Sequence, residues 1–495
     1  MLMGETGLPR PIAAPVSISE LGGRSRGDAL VTGVCADNRT VRPGDLFAGV
    51  PGLHIHGARF SAQARAAGAA AVLTDSEGSA LAGDGPLVVI DDVAAHLGAV
   101  AAQIYGHPAD KLTTFAVTGT NGKTTTAFML EHILSRLERK TGLIGTVALR
   151  IAGEDIPASL TTPMPTELQG FLAELVRRGG TDLVMETSSH ALVQGRTDPI
   201  CYDVAGYTNL TQDHLDFHHT MEEYFAAKAS LFTPERARRA VVVVDDDWGR
   251  RLVRECADDI DVVALAIKSE LPAGMQGWQF SAGRLTSTEG DSFEVKTSLP
   301  GDFNIANAAL AATMALAGGL AINDVASLGI IAPVVPGRME VISTRPRVVV
   351  DFAHNTDALV KAMQALRPST RGRLIVLTGA AGERDQAKRP AMGEAVARYA
   401  DAVVITDDDP HGEDPAAIRA AVLEGTRRHK TPVKEIANRA EAIRQSILDA
   451  SVHDTILLAG RGHETIQDVG GELIQLDDRA EARRVLALRA QEESE

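Results

Sequence analysis

Between residues 111 and 137 three local signals follow one another in a fixed order. Residues 111–117 read as a buried strand, and Thr118-Gly119-Thr120-Asn121-Gly122-Lys123-Thr124-Thr125 supplies a glycine turn. Residues 124–137 place Leu130, Ile133, Leu134 and Leu137 at i, i+3, i+4 and i+7, the stripe of one helix face. A glycine loop between a strand and a helix offers backbone N–H groups and a helix N-terminus to a phosphate. Lys123 is then expected to reach the β- and γ-phosphates of a nucleotide, and Thr124 to hold Mg²⁺. The loop is a shortened relative of the general phosphate-loop pattern, since Val117 stands where a Gly is wanted six residues before the Lys. Alone it does not separate a motor, a GTPase, a kinase or a ligase.

A length of 495 residues exceeds one ordinary core and predicts about three domains. Residues 31–108 carry short apolar runs at 70–73 and 87–90, a turn at Val41-Arg42-Pro43-Gly44-Asp45 and an Ala-rich helical stretch near 61–68, the pattern of a small α/β unit. A strand at 240–244 and a turn-rich β-like stretch from 276 to 300 lead into a helix at 304–316, after which Val335-Pro336-Gly337-Arg338 reads as a linker. Strands at 348–350, 374–377, 402–405 and 455–458 then alternate with helices, which predicts a doubly wound parallel sheet with ligands at its carboxyl edge. The expected division is 1–108, 109–335 and 336–495, all of α/β class.

The formal net charge is −16 with Lys and Arg scattered, so neither a duplex-binding stripe nor a polybasic membrane face is present, and small anions such as nucleotides are the expected partners. Cys35, Cys201 and Cys256 lie far apart without metal-ligand spacing, as in a reducing compartment. Residues 1–23 lack the charged and apolar blocks of a signal segment, and no stretch approaches about 18 uninterrupted apolar residues. A cytoplasmic monomer is expected.

Met185-Glu186-Thr187-Ser188-Ser189-His190 and Thr208-Asn209-Leu210-Thr211-Gln212-Asp213-His214-Leu215-Asp216 each put a carboxylate and a histidine just beyond an apolar run. Beside a phosphate loop, oxygen and imidazole ligands of this kind suit Mg²⁺, which makes Glu186 and His214 metal-ligand candidates.

In this order, Gly-Thr-Asn-Gly-Lys-Thr, Glu-Thr-Ser-Ser-His and Thr-Asn-Leu-Thr-Gln-Asp-His-Leu-Asp resemble the Mur ligases. The resemblance runs along nearly the whole chain. Asp37-Asn38-Arg39 with residues 41–47 is similar to the family's uridine-nucleotide domain, Gly301-Asp302-Phe303-Asn304 and Pro336-Gly337-Arg338 to its hinge region, and Asp351-Phe352-Ala353-His354, Gly382-Glu383-Arg384-Asp385 and Gly460-Arg461-Gly462-His463-Glu464 to its third domain. Thr161-Thr162-Pro163, Ser-Ser-His and Gly-Arg-Gly-His-Glu together favour the MurE branch, and Tyr224 to Phe232 resembles its carbamoylated-lysine segment.

The resemblance implies a three-domain ATP-dependent ligase that phosphorylates the D-glutamyl carboxylate of a UDP-N-acetylmuramoyl-dipeptide and lets an amino acid's amine attack the acyl phosphate. Alignment and cationic stabilisation carry such chemistry. By this likeness Gly119, Thr120, Asn121, Gly122, Lys123, Thr124, Thr125, Asn304, Arg338 and Asp351 hold ATP, and Thr124, Glu186, His214 and a carbamoylated Lys228 hold Mg²⁺. Asn38, Thr161, Thr162, Ser188, Gln194 and Arg196 hold the muramoyl-peptide, while Arg384, Asp408, Asp409, His411, Gly460 and Glu464 hold the amino acid. Lys123, Lys228, Glu186 and His214 are the catalytic set. Asn38, Asn355-Thr356-Asp357 and Gly379-Ala380-Ala381-Gly382-Glu383 depart from the family's usual Ser, Thr-Pro-Asp and more glycine-rich stretches.

Asp408-Asp409-Pro410-His411 stands where meso-diaminopimelate enzymes usually show Asp-Asn-Pro-Arg. Losing a guanidinium fork weakens the grip on a distal carboxylate, and Asp408, Asp409 and Glu413 add negative charge, so L-lysine or L-ornithine is the expected substrate. Two other readings are a paralogue acting on another carboxylate and a nucleotide-binding switch without ligase activity; phosphate release that requires both acid and amino acid separates them.

Overall fold

The computed structural model describes residues 8–52, 54–156, 160–256 and 258–492, and so leaves residues 1–7 of the N-terminal stretch outside. Three sheets organise it. The first has five strands in the order Arg24–Arg26, Leu87–Val89, Ala71–Thr74, Asp45–Ala48 and Gly33–Cys35, parallel except at Arg24–Arg26.

The central sheet has eleven strands. Its parallel core runs Thr141–Ile144, Asp182–Glu186, Thr113–Thr118, Val204–Tyr207, Arg239–Val243, Asp261–Ala266, Gly277–Ser281, and antiparallel strands close both edges. Side-chain alternation explains why Thr113–Thr118 sits in the middle. Phe115 and Val117 pack into one layer with Leu130, Ile133 and Leu134 of the helix Lys123–Arg136, whereas Ala116 faces Leu168, Phe171 and Leu172 on the other side. Complete burial of each such aliphatic or aromatic side chain contributes about 1.5 to 3 kcal/mol. The register sets Glu186 beside Val117 and Tyr207 beside Thr118, so the loops that follow these strands emerge at one edge.

The third sheet runs Glu340–Thr344, Arg347–Asp351, Thr455–Ala459, Leu374–Thr378, Ala402–Ile405, Val433–Glu435, parallel but for the first strand. Four central strands end at Asp351, Ala459, Thr378 and Ile405, and the segments carrying His354, Glu464, Arg384 and His411 follow them. This is the crevice expected of a doubly wound sheet. The buried strand Thr141–Ile144, the half-buried strand Asp261–Ala266 and the hairpin Ile466–Val469 with Glu472–Gln475 had no counterpart in the sequence expectations. Among the described residues no helix is long and apolar enough to cross a membrane.

Candidate active site

The loop after Thr113–Thr118 is held from the neighbouring strand's loop. Thr120 N–H donates to Asn209 O (2.8 Å), Asn121 N–H to Asn209 Oδ1 (3.1 Å), and Thr208 Oγ1 to Asn121 O (2.7 Å). Gly119 and Gly122 have φ of 139° and 91°, and a Cβ on either would run into Thr208 or Asn307. Gly122 offers the helix Lys123–Arg136 no side-chain cap, so its first-turn N–H groups face the opening.

Two lysines converge on this loop. Lys123 Nζ donates to Gly119 O (3.0 Å) and Thr120 O (2.8 Å), and Lys228 Nζ donates to the same Gly119 O (2.7 Å). Lys228 is 1% exposed and lies over the Tyr224 ring at 4.5 Å. Desolvation, reinforced by the charge of Lys123, holds Lys228 well below the usual lysine range. Lys123 keeps some surface open to the cavity, yet desolvation lowers it too, against the pull of Glu186 and Asp213.

Glu186 is fully buried at its strand's end and accepts from Thr124 Oγ1 (3.0 Å) and Thr146 N–H (2.8 Å). Arg338, the last residue of the expected linker, donates to Thr124 Oγ1 (3.2 Å) and stacks on Phe352. Burial pushes His214 down to about 3, opposed by Asp213, so its imidazole is neutral and able to ligate a metal. Thr124 and Glu186 are thus in contact, whereas Lys228 is engaged with the loop carbonyl. Among the described residues the one trio of acidic or imidazole ligand atoms within 4.8 Å of one another is Asp408, Asp409 and Glu464, outside the expected metal set.

The expected muramoyl-peptide residues other than Asn38 form one patch. Thr161 Oγ1 lies 3.0 Å from Thr146 Oγ1, Ser188 N–H reaches Thr162 Oγ1 (3.4 Å), and Arg196 links Thr162 O (2.8 Å) to Gln194 Oε1 (2.6 Å). Asn38 bonds Gln63 in the first sheet's domain, apart from the cavity. Asn304 is 2% exposed and accepts from Asn307, and Asp351 accepts from Met339 N–H (2.7 Å).

One cavity of about 950 Å³ joins these groups to the third sheet's edge, where Arg384, Asp408, Asp409, His411, Gly460 and Glu464 line it. Here the structure corrects the expectation of free negative charge around His411. Arg461 is fully buried and lies 2.5 Å from Asp409, 3.8 Å from Asp408 and 4.0 Å from Glu464, so it answers the two aspartates and leaves Glu464 at the margin of the cluster. Glu413 is held by Arg389 at 2.9 and 3.0 Å, and this pairing pulls it down to about 2. Burial beside Asp408 pushes Glu464 up to about 8, so near neutral pH it is mostly protonated.

Thr146 lines this site, and Arg461 and Asp468 support it from behind, without having been expected. Thr146 follows the unanticipated strand Thr141–Ile144, Arg461 lay within a recognised motif but its burial carries no sequence signal, and Asp468 is 57 residues from the histidine it contacts.

The chain matches the Mur ligase family, catalytic domain over residues 30–105, the Mur ligase middle domain over 117–315 and the Mur ligase, glutamate ligase domain over 337–462. It is 44% identical to the UDP-N-acetylmuramoyl-L-alanyl-D-glutamate–2,6-diaminopimelate ligase of Streptomyces coelicolor, over 97% of this chain and 98% of that protein. It is 41% identical to the UDP-N-acetylmuramyl-tripeptide synthetase of Leifsonia xyli subsp. xyli, over 99% and 98%. A solved UDP-N-acetylmuramoyl-L-alanyl-D-glutamate–2,6-diaminopimelate ligase superposes with a TM-score of 0.64 at 29% identity, covering 96% of this chain and all of that one. With the phosphate loop, the buried glutamate and three α/β domains sharing one cavity, these likenesses run the length of the chain, which belongs to the Mur ligase family of ATP-dependent amide-bond-forming enzymes.

Proposed function

We propose that this chain joins a diamino acid to the D-glutamyl carboxylate of UDP-N-acetylmuramoyl-L-alanyl-D-glutamate, in peptidoglycan precursor synthesis. The observation that carries the reading is the single cavity that sets the lysine-bearing loop against Thr124 and Glu186 on one side and the third sheet's edge on the other. The ammonium of Lys123, resting on the carbonyls of Gly119 and Thr120 at the cavity wall, is a preformed seat for anionic phosphate oxygens. The hydroxyl of Thr124 and the carboxylate of Glu186 are hard oxygen donors of the kind Mg²⁺ takes, with the neutral imidazole of His214 nearby, so the residues present fit the ion. Mg²⁺ would supply positive charge for the phosphates.

In this reading Lys123 steadies the transferred phosphoryl group of ATP, which passes to the D-glutamyl carboxylate; the amine then attacks the acyl phosphate and phosphate leaves. Gly119 to Thr125, Asn304, Arg338 and Asp351 hold ATP; Thr161, Thr162, Ser188, Gln194 and Arg196, with Asn38, hold the UDP-linked acid. Arg384, Asp408, Asp409, His411, Gly460 and Glu464 hold the amino acid. Lys228, whose charged form burial disfavours, is the lysine that would take up CO₂ as a carbamate, which replaces a cation with an anionic oxygen ligand. The domains divide at 108 and 335, with Pro336-Gly337 as the hinge, and the enzyme works as a cytoplasmic monomer, where ATP and UDP-linked sugars are made.

The names of the relatives favour 2,6-diaminopimelate as the amino acid. They do not bear out the expected preference for L-lysine or L-ornithine, and one of its two physical supports, free acidic charge, is consumed by Arg461 and Arg389. Lysine or ornithine survives as a second reading because position 411 lacks a guanidinium. The test is phosphate release and product mass with the UDP-linked dipeptide, ATP, Mg²⁺ and each of meso-diaminopimelate, L-lysine and L-ornithine. We expect release only when all components are present and a tripeptide product with meso-diaminopimelate. ATP hydrolysis indifferent to the amino acid, or no coupled product with any of the three, defeats the proposal.

A further inference from the structure

His411 is fixed more tightly than a loop histidine needs to be. Its backbone is left-handed (φ 49°), a conformation that non-glycine residues adopt at a cost. The hairpin Ile466–Val469 with Glu472–Gln475 holds it there: His411 N–H donates to Asp468 O (3.1 Å) and Gly470 N–H to His411 O (2.7 Å). The side chain is held as well, with Nδ1 3.1 Å from Asp468 Oδ2. The same hairpin is pinned to the pocket floor, since Asp468 N–H donates to Asp409 Oδ1 (3.0 Å) and Arg461 Nη2 to Ile466 O (2.6 Å). Asp468 itself does not line the cavity, whereas His411 does.

An imidazole that gives its Nδ1–H to a carboxylate has a defined tautomer and ring plane, and its Nε2 is the nitrogen left for a ligand. The carboxylate also offsets the positive charge of an imidazolium, whose Nε2–H then serves as a charged donor. The neighbouring acids are already engaged: Asp409 with Arg461, Glu413 with Arg389, and Glu383 with the N–H of Gly412. His411 is therefore the group on this wall with an uncommitted ring nitrogen, and Asp468 decides what that nitrogen offers.

We propose that Asp468 is a positioning residue that turns His411 into the donor for the distal carboxylate of a diamino-dicarboxylic acid substrate, in place of a guanidinium. This rests on the ligase reading above and adds the residue that enforces the choice of amino acid.

The test compares KM and kcat for meso-diaminopimelate and for L-lysine in the wild-type enzyme and in Asp468→Asn, Asp468→Ala, His411→Ala and the double alanine variant. Asn removes the charge and keeps one acceptor oxygen, enough for His411 Nδ1–H or for Gly471 N–H but not for both, and Ala removes both oxygens. We expect KM for meso-diaminopimelate to rise about threefold in Asp468→Asn and about tenfold in Asp468→Ala, with kcat within about twofold. KM for L-lysine should stay unchanged, and Asp468→Ala should add nothing in the His411→Ala background. The proposal is overturned by an unchanged meso-diaminopimelate KM in folded Asp468→Ala, by equal losses for both amino acids, by additive effects in the double variant, or by a wild-type enzyme that takes L-lysine and refuses meso-diaminopimelate. Absence of any coupled ligation in the wild-type enzyme defeats the ligase reading instead, which keeps the two failures apart.

Discussion

The carboxyl edges of the central and third sheets face each other across one cavity, and they treat buried charge in opposite ways. At the central edge Lys123 and Lys228 rest on backbone carbonyls, and among the described residues neither pairs with a carboxylate. At the third edge the charges are nearly all answered within the protein: Asp409 by Arg461, Glu413 by Arg389, His411 by Asp468, and beneath them Arg439 by Asp478 at 2.6 Å with both side chains fully buried. A buried charge without a partner is costly, so such a group either gives up its charge, as burial presses Lys228 to do, or marks, as Lys123 does, a place that an ion of opposite sign completes. A balanced cluster contributes little net field and discriminates through geometry. The first edge is built to bind by charge, and the second to select by shape and by the orientation of a few donors.

The largest effect should come from breaking the unbalanced edge. Lys123→Ala removes a cation facing the phosphates and should lower kcat roughly 100- to 1000-fold with the fold intact, as deletion of one charged stabiliser does elsewhere. Lys228→Ala should be almost as severe, but with one difference that sharpens the comparison. If Lys228 works as a carbamate, a short carboxylic acid added to the assay restores part of the Lys228→Ala rate and none of the Lys123→Ala rate. Restoration of both or of neither, or intact mass showing a bare lysine in fully active enzyme, would sink the carbamate.

The balanced edge should answer to pH. Glu464, pushed up to about 8 by burial and Asp408, folds as the neutral acid. A carboxyl whose folded pKa lies above its unfolded value of about 4.3 contributes its stability in full below that value and loses it as pH rises through about 8. Glu464→Gln removes this loss. The two proteins should therefore have nearly equal melting temperatures near pH 4.5, and the variant should gain by about 2 to 4 °C as the pH approaches 9, the shift being tempered by the side chain's partial exposure. Parallel melting curves across that range would show that Glu464 is already ionised, and the edge less balanced than the geometry indicates.

How much of this could be read from the sequence follows the same division. The phosphate loop was legible because strand, glycines and helix are contiguous, and the expected strand at 402–405 coincides with Ala402–Ile405. Thr124 and Glu186 touch because one opens a readable helix and the other ends a strand whose apolar run is readable, whereas the contact of Thr162 with Arg196 joins residues that only the family resemblance singled out. The third edge was not legible in the same way. Its acids are visible as letters, but whether Asp409 is free or paired depends on Arg461 folding back from another strand's loop, and His411 depends on a hairpin whose two four-residue strands gave no periodic signal. Charge counted along the chain therefore overstated the field at position 411.

The smallest effect concerns how the two edges are held together, and it tests whether the unbalanced one relies on the other for alignment. Asn355 is 2% exposed and stands where the family usually shows Thr. Its Oδ1 accepts the N–H of Ala358 (2.9 Å) and caps the helix Thr356–Leu366, while its Nδ2 reaches Asp213 Oδ2 (3.3 Å) and Asn121 Oδ1 (3.4 Å) across the domain boundary. Asp213 is where the contact matters most: burial alone would raise it, yet the hydrogen bond and charge of His354, with His214 and Lys388, hold it well below the carboxylate range. Thr at 355 keeps an oxygen to cap the helix and loses both amide donors, so Asn355→Thr separates docking from local folding. Both lost bonds are long, and Asn121 Nδ2 still reaches Asp357 Oδ2 (3.0 Å), so the cost should stay near 1 kcal/mol. Since Asn121 belongs to the phosphate loop, the expected readout is a KM for ATP raised about three- to fivefold with kcat nearly unchanged. An unaltered KM would mean that His354 and Lys388 dock the third domain without Asn355, and a fall in kcat alone would mean that Asn355 acts on the chemical step and not on the alignment of the two edges.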